Sequence, residues 1–181
     1  KNSLLQELEA YLLPERSPCV VCGGDSFVPF ASQGFFKALR CNNCEMISVN
    51  PHLSEDGLDL FYSSYFEINR NNEELLEKRK KAYQLDYEFL FNFISGGKVL
   101  DVGCSDGSFL GYFDRALWDK HGLDLQSDAL SWAASRGVNV RKGKIWEVDF
   151  EDSFDLITMR GVLEHFRDPN LATNLFCSLI N

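Results

Sequence analysis

The 181 residues carry too little positive charge to hold a polyanion. Eighteen Lys and Arg stand against 27 Asp and Glu, a formal net charge of −9, whereas a nucleic-acid surface needs a basic face to neutralise phosphates. Long apolar runs are missing as well. No stretch approaches the roughly 20 residues of a membrane span, and the opening Lys1-Asn-Ser-Leu-Leu-Gln-Glu-Leu-Glu-Ala is polar and amphipathic, unlike a signal peptide. The expectation is a cytoplasmic protein with neither a nucleic-acid nor a membrane partner, and the missing initiator Met suggests only that the chain is trimmed or numbered from a later residue. What is present is ordinary globular material, 45% hydrophobic and 25% charged, enough for one sizeable core and a small module.

Residues 15–50 are short of large apolar side chains. Phe27, Phe30, Phe35, Phe36, Leu39 and Ile47 are too few for an independent core. The same segment holds two pairs, Cys19-Val-Val-Cys22 and Cys41-Asn-Asn-Cys44, separated by eighteen residues. That is the spacing of a four-thiolate zinc site, each pair wrapping one side of a tetrahedral ion. Gly23 and Gly24 let backbone N–H groups turn toward the sulfurs. Two disulfides, four unrelated buried thiols or an iron site are the alternatives, and in a chain without secretory features zinc is preferred. Four thiolates leave no open position, so the metal is expected to be structural. Arg16, Lys37 and Arg40 balance Glu15, Asp25 and Glu45, which leaves no basic stripe for RNA.

The chain is organised around Lys98-Val-Leu-Asp101-Val-Gly103-Cys104-Ser105-Asp106-Gly107-Ser-Phe-Leu110. A short apolar run breaks at Gly103 into a small polar turn before the apolar pattern resumes, which reads as strand, tight loop, helix. Asp101 and Asp106 make the loop acidic. A pyrophosphate would be repelled there, and a ligand with hydroxyls, an ammonium or a sulfonium favoured. Ahead of it, residues 72–94 form a helix with Leu76, Tyr83, Tyr87, Leu90, Phe91 and Ile94 on one stripe, capped by Asn71 with Glu74. Behind it, Lys120–Leu125 is a second strand and Ser127 opens a helix that stops at Gly137. Asp124, at the end of that second strand, is placed to accept hydrogen bonds from both hydroxyls of a ribose; its alternative is to favour the next helix N-terminus. Val138–Lys142 and Phe154–Met159 are the third and fourth strands. Asp168 caps and Pro169 starts a last helix through Asn181. Glu164 and His165 follow the fourth strand at the sheet edge where ligands bind in open α/β folds, so either can serve as general base, or His165 can shape the loop through a hydrogen bond.

Asp101-Val-Gly103-Cys-Ser105-Asp106-Gly107 resembles the cofactor loop of the class I S-adenosylmethionine-dependent methyltransferases, acid-x-Gly-x-Gly-x-Gly, with Ser105 where the middle glycine stands. Arg160-Gly-Val-Leu-Glu164-His165-Phe-Arg-Asp-Pro169 resembles the post-strand motif of the same family. The dinucleotide fingerprint of nicotinamide oxidoreductases does not fit glycines at 103, 107 and 111; such an oxidoreductase, and a non-catalytic zinc-containing interaction scaffold, are the alternative functions. The resemblance implies an α/β, Rossmann-like fold behind a zinc-ribbon-like module: residues 1–14 an N-terminal helix, 15–50 the zinc module, 51–95 a linker and lid helix, 96–181 a partial cofactor domain. It places Asp101, Gly103, Cys104, Ser105, Gly107, Asp124, Leu125, Trp146 and Arg160 around S-adenosylmethionine, with Ile145 beside Trp146 at the adenine and Lys144 where many relatives carry Asp. The Cys pairs followed by Asn50-Pro51 and Phe61-Tyr62-Ser-Ser-Tyr65-Phe66 are similar to bacterial methyltransferases of sugar, polysaccharide or lipid modification and to sugar C-methyltransferases with a zinc domain, in which a linker Tyr lies at the active site. Tyr65 or Tyr62 matches it, unless both merely pack the linker. The implied activity is methyl transfer to a small-molecule acceptor, with Glu164, His165 and Tyr65 as catalytic candidates. The family sheet has seven strands and four are readable here, so the chain is expected to be a fragment or a half-domain completed by a partner, its fourth strand an open edge inviting a homodimer, burial under the last helix or aggregation.

Overall fold

The Cys pairs and the parallel-strand pattern fall into separate compact units, Lys1–Asn71 and Asn72–Asn181. A computed structural model describes residues 2–13, 17–69, 73–151, 153–166 and 168–181. The expected cap Asn71 and the side chain of Tyr65 lie outside the described residues.

In the first unit, β1 (Phe27–Gln33), β2 (Phe36–Cys41) and β3 (Ile47–Val49) form an antiparallel ribbon in that order. The β1–β2 turn uses Gly34 at φ +60°, the left-handed conformation a tight hairpin demands. Asn50 follows the ribbon and is buried at 1% exposure. Its side chain accepts from Ser17 N at 3.2 Å and donates to Ser17 O at 2.9 Å, and its own N–H donates to Lys37 O at 3.0 Å. One polar side chain therefore closes the segment entering the module onto the segment leaving it. Two helices complete the unit, α1 (Asn2–Glu9) and α2 (Glu55–Asn69). Leu12 bridges Leu53 between them. A Cβ on Gly57 would lie 2.6 Å from the Tyr11 Cβ, so α2 admits no side chain at this crossing.

The second unit is a four-stranded parallel sheet in the order β6-β5-β4-β7, with β4 (Gly97–Val102), β5 (Trp118–Asp124), β6 (Asn139–Lys142) and β7 (Leu156–Met159). Val99, Leu100 and Val102 of the central β4 are all buried, the near-continuous apolar run that a strand covered on both faces requires. On one face Val99 and Trp118 pack with Phe109, Phe113, Leu130 and Ala133, supported by Tyr83, Tyr87, Leu90 and Ile94 from α3 (Glu73–Phe91) and its exit. The opposite face packs Leu100, Val102, Leu123 and Phe154 against Ala172 and Phe176 of α5 (Pro169–Leu179). α4 (Ser127–Ser135) lies with α3, through Leu130 and Ala133.

Several expectations are corrected here. The helix expected after the central loop is a single 3-10 turn, Leu110–Tyr112. Gly107 and Gly111 weaken the segment as helix, and Asp114 ends it by accepting Ala116 N at 2.9 Å. Leu76 and Phe91 are exposed rather than part of the buried stripe of α3. Ile145 is 2% exposed within the core on the α5 side, not a surface wall for a base. The flank of β7 is partly covered by the chain itself: Phe154 N donates to Leu179 O at 2.7 Å and Asn181 N to Phe154 O at 3.0 Å. No second copy is needed to satisfy those groups, so the expected homodimer gains no support from the fold. Among the described residues no helix is long and apolar enough to cross a membrane.

Candidate cofactor cradle and metal centre

The four sulfurs of Cys19, Cys22, Cys41 and Cys44 lie within 4.8 Å of one another. Cys19 and Cys44 sulfurs are 3.6 Å apart, as are those of Cys22 and Cys41, and all four are free thiols rather than disulfides. A tetrahedral zinc with bonds of about 2.3 Å sets its sulfurs about 3.8 Å apart, so the donor set fits such an ion. The two knuckles are built alike. Gly23 N donates to Cys19 O and Glu45 N to Cys41 O, at 2.8 and 3.0 Å, while Cys19 N and Cys41 N donate to Gly24 O and Met46 O at 2.7 and 2.9 Å. Gly23 and Glu45 occupy matching left-handed positions, φ +71° and +62°. Burial works against the Cys19 thiolate, yet the backbone N–H groups of Cys22 and Val21 and the neighbouring sulfurs outweigh it and draw its pKa down to about 7. Cys44 moves the other way, to about 12: the N–H of Met46 favours its thiolate, and the nearby sulfurs, Cys22 first, oppose it. Four thiolates this close repel, and a divalent cation supplies the compensating charge.

In the second unit the loop leaving β4 has three left-handed residues in five: Gly103 at φ +75°, Ser105 at +49° and Gly107 at +72°. A Cβ on Gly103 would collide with Val162 Cγ2, so the loop presses directly on the segment that carries Glu164 and His165. A Cβ on Gly107 would meet Ala133 of α4 at 3.0 Å. Both glycines therefore serve close approach as well as conformation. Asp124, at the end of β5, accepts Ser105 N at 2.8 Å on one oxygen and Gln126 N at 2.9 Å on the other. A carboxylate offers about four acceptor positions, so capacity remains for two ribose hydroxyls. The cradle fits a ligand with a diol. Asp101 lies beneath it at 3% exposure, accepting from Thr158 Oγ1 at 2.7 Å. Burial pushes its pKa up to about 7, against the pull of Thr158 and Arg160.

A methyltransferase domain family matches residues 75–181, more than half of the chain. The chain belongs to that family. Two curated relatives named ubiquinone biosynthesis O-methyltransferase, from Bordetella avium (strain 197N) and Shewanella sp. (strain ANA-3), are each 30% identical over 95 residues, 48% of this chain. The chain spans about two fifths of their length, as the aligned part is 39% and 40% of each. Its fold is similar to that of the plantazolicin methyltransferase BpumL, solved with a monoazolic desmethylPZN analog and SAH, at a TM-score of 0.52, 18% identity, 68% of this chain and 50% of that one.

Against this methyltransferase frame, the residues named from sequence divide. Gly103, Ser105, Gly107 and Asp124 converge on one loop. Cys104 faces the core: it is 4% exposed, and a Cβ on Gly122 would lie 2.6 Å from its sulfur, so only its backbone faces the cradle. Burial pushes its thiol pKa up. Leu125 and Trp146 are exposed at 38% and 47%, Trp146 standing edge-on to Phe166 at 5.6 Å. Arg160 is engaged elsewhere, its guanidinium pairing with Asp86 of α3 at 2.5 Å and stacking over the rings of Tyr83 at 4.1 Å and Phe109 at 4.7 Å. Beside it opens a hollow of about 210 Å³ lined by Phe89, Leu90, Phe109 and Met159 but by neither Gly103 nor Asp124, so that hollow is not the cradle. Glu164 and His165 are exposed on a 3-10 turn, Leu163–His165. Tyr65 lies on α2 of the first unit. Asp106 does not face the cradle as a free acid. It accepts from Ser108 N at 3.1 Å and Ser108 Oγ at 2.8 Å and pairs with Arg136 at 2.8 Å, and although burial opposes ionisation, these partners hold its pKa below the usual carboxylate value. Sequence reasoning passed over Arg136; the cue was its place at the end of a helix stopped by Gly137.

Proposed function

We propose that this chain is the cofactor-binding part of an S-adenosylmethionine-dependent methyltransferase, working in the cytoplasm on a small molecule such as a sugar, nucleotide-sugar or lipid precursor, with a structural zinc in its first unit. One observation carries the reading: a loop with three left-handed residues in five, tied to the acid ending the adjacent strand, within the stretch that matches the methyltransferase family.

S-Adenosylmethionine supplies a methyl group already activated on a sulfonium. What is left to the chain is placement, exclusion of water and removal of a proton. Asp124 would hold the ribose hydroxyls, the Gly103–Gly107 backbone the amino-acid end, and Asp101 would support that loop from below. Glu164 or His165 would take the proton of the acceptor hydroxyl, carbon or amine, and Tyr65 is the third catalytic candidate. Leu125 and Trp146 would border the adenine. The relatives' names favour oxygen as the methylated atom.

Calorimetric titration with S-adenosylhomocysteine tests this directly. Saturable binding that Asp124→Ala abolishes is the expected result. Binding of a nicotinamide dinucleotide in its place would establish the oxidoreductase alternative, and binding of neither would leave an interaction scaffold. A turnover screen of nucleotide-sugars with the full-length protein, repeated with Glu164→Gln, His165→Asn and Tyr65→Phe, identifies the acceptor and the base.

A further inference from the structure

Ser105 is a side-chain-bearing residue in a conformation that suits glycine, φ +49°. An L-residue held there is strained, so neighbouring contacts must hold it. Two side chains do so, one on Ser105 and one on the residue after it. Asp124 receives the Ser105 N–H at 2.8 Å and is itself fixed by Gln126 N at 2.9 Å. Arg136 donates to the carbonyl oxygen of Asp106, the residue after Ser105, and pairs with the Asp106 carboxylate at 2.8 Å. That carboxylate is fixed in turn by Ser108 N and Oγ.

Arg136 is well placed for this work. It ends α4, where its N–H donates to Ala133 O at 3.0 Å, and Gly137 then turns the chain at φ +73° with its N–H on Ala134 O. A Cβ on Gly137 would collide with the Arg115 guanidinium. The left-handed turn favours glycine, and the Arg136 side chain is delivered to the loop by the end of α4. A charge-assisted contact to the Asp106 carbonyl oxygen and to its carboxylate ties the backbone and the side chain of that residue to one guanidinium.

We propose that Arg136 is a positioning residue for the cofactor loop, clamping Asp106 while Asp124 clamps Ser105, so that the left-handed Ser105 backbone is set before ligand arrives. The affinity arm of this idea rests on the cofactor reading above; the clamp itself is read without ligand.

The test compares wild type, Arg136→Gln, Ser105→Gly and the double variant Arg136→Gln/Ser105→Gly in the full chain, by amide hydrogen exchange of residues 105–108 and by calorimetry with S-adenosylhomocysteine. Arg136→Gln should speed exchange across 105–108 and weaken binding about tenfold, the scale of one partly exposed charged contact. Glycine at 105 adopts the left-handed conformation without strain, so the double variant should recover affinity to within about threefold of wild type. A helix-stability role alone would not produce that recovery. Unchanged exchange in Arg136→Gln, or no recovery in the double variant, overturns the clamp. Should wild type fail to bind while Arg136→Gln still speeds exchange, the cofactor reading falls and the clamp stands.

Discussion

Asp101 shows how one buried residue writes its environment into the pH dependence of the whole unit. A carboxyl that ionises near pH 4 in an unfolded chain and at about 7 when folded binds its proton more tightly in the native state. Below about pH 4 both states are protonated and the group contributes nothing; between about 4 and 7 the unfolded chain ionises first, and native stability falls; above that the loss is constant. Asp101→Asn keeps an acceptor for Thr158 and has nothing to ionise. Its stability relative to wild type should therefore rise from pH 4 to pH 8 by on the order of 3 kcal/mol, measured by urea melts at several pH values. A difference that is flat with pH would refute the assignment. Gly103 sets a steric limit instead: at φ +75°, and with Val162 Cγ2 occupying the space an alanine methyl would need, Gly103→Ala should cost about 2 kcal/mol or more, read as a lowered Tm of the second unit and lost S-adenosylhomocysteine binding.

At the level of elements, the sequence is legible where one local rule suffices. The apolar runs of β4 and β7 announce buried parallel strands, and the structure pairs Asp101 with Thr158 in register. Asp168 and Pro169 announce a helix start, and the Asp168 carboxylate accepts Asn170 N at 3.0 Å and Leu171 N at 3.1 Å. That cap is worth about 1 kcal/mol, and because α5 carries Ala172 and Phe176 into the core, Asp168→Ala should lower the unfolding free energy of the second unit by that amount, read as a lower urea midpoint with the slope of the transition unchanged. What stays hidden are partnerships across long sequence separations. Nothing local shows that Arg136 will hold Asp106 or that Arg160 will reach back 74 residues to Asp86. An acid counted as a cradle charge is neutralised by the first, and an arginine assigned to the cofactor is occupied by the second. The missing helix after Gly107 has local causes in Gly107, Gly111 and Asp114, to which Lys120 on the next strand adds by reaching the carbonyl of Leu110 at 3.3 Å from a buried position.

For the whole molecule the division into two units makes metal dependence separable from cofactor binding. Around the cysteines the ribbon buries few large side chains, chiefly Leu39, too little to offset the entropy of ordering it. A zinc ion on four thiolates contributes on the order of 10 kcal/mol to modules of this kind. The second unit has two apolar clusters of its own and no such need. All three tryptophans, Trp118, Trp132 and Trp146, lie in that second unit, so tryptophan fluorescence reports on it alone. Metal analysis of the purified protein should return one zinc per chain. Strong chelation should then raise amide exchange throughout residues 17–50 while the fluorescence melt and the affinity for S-adenosylhomocysteine stay within about twofold of their starting values. Cys41→Ser should reproduce the chelated state without chelator, because three thiolates and a hydroxyl bind zinc far more weakly. If chelation left exchange in the ribbon unchanged and released no metal, the four-thiolate centre would be wrong; if it collapsed the fluorescence melt as well, the two units would fold as one, and the metal would be part of what holds the cradle in shape.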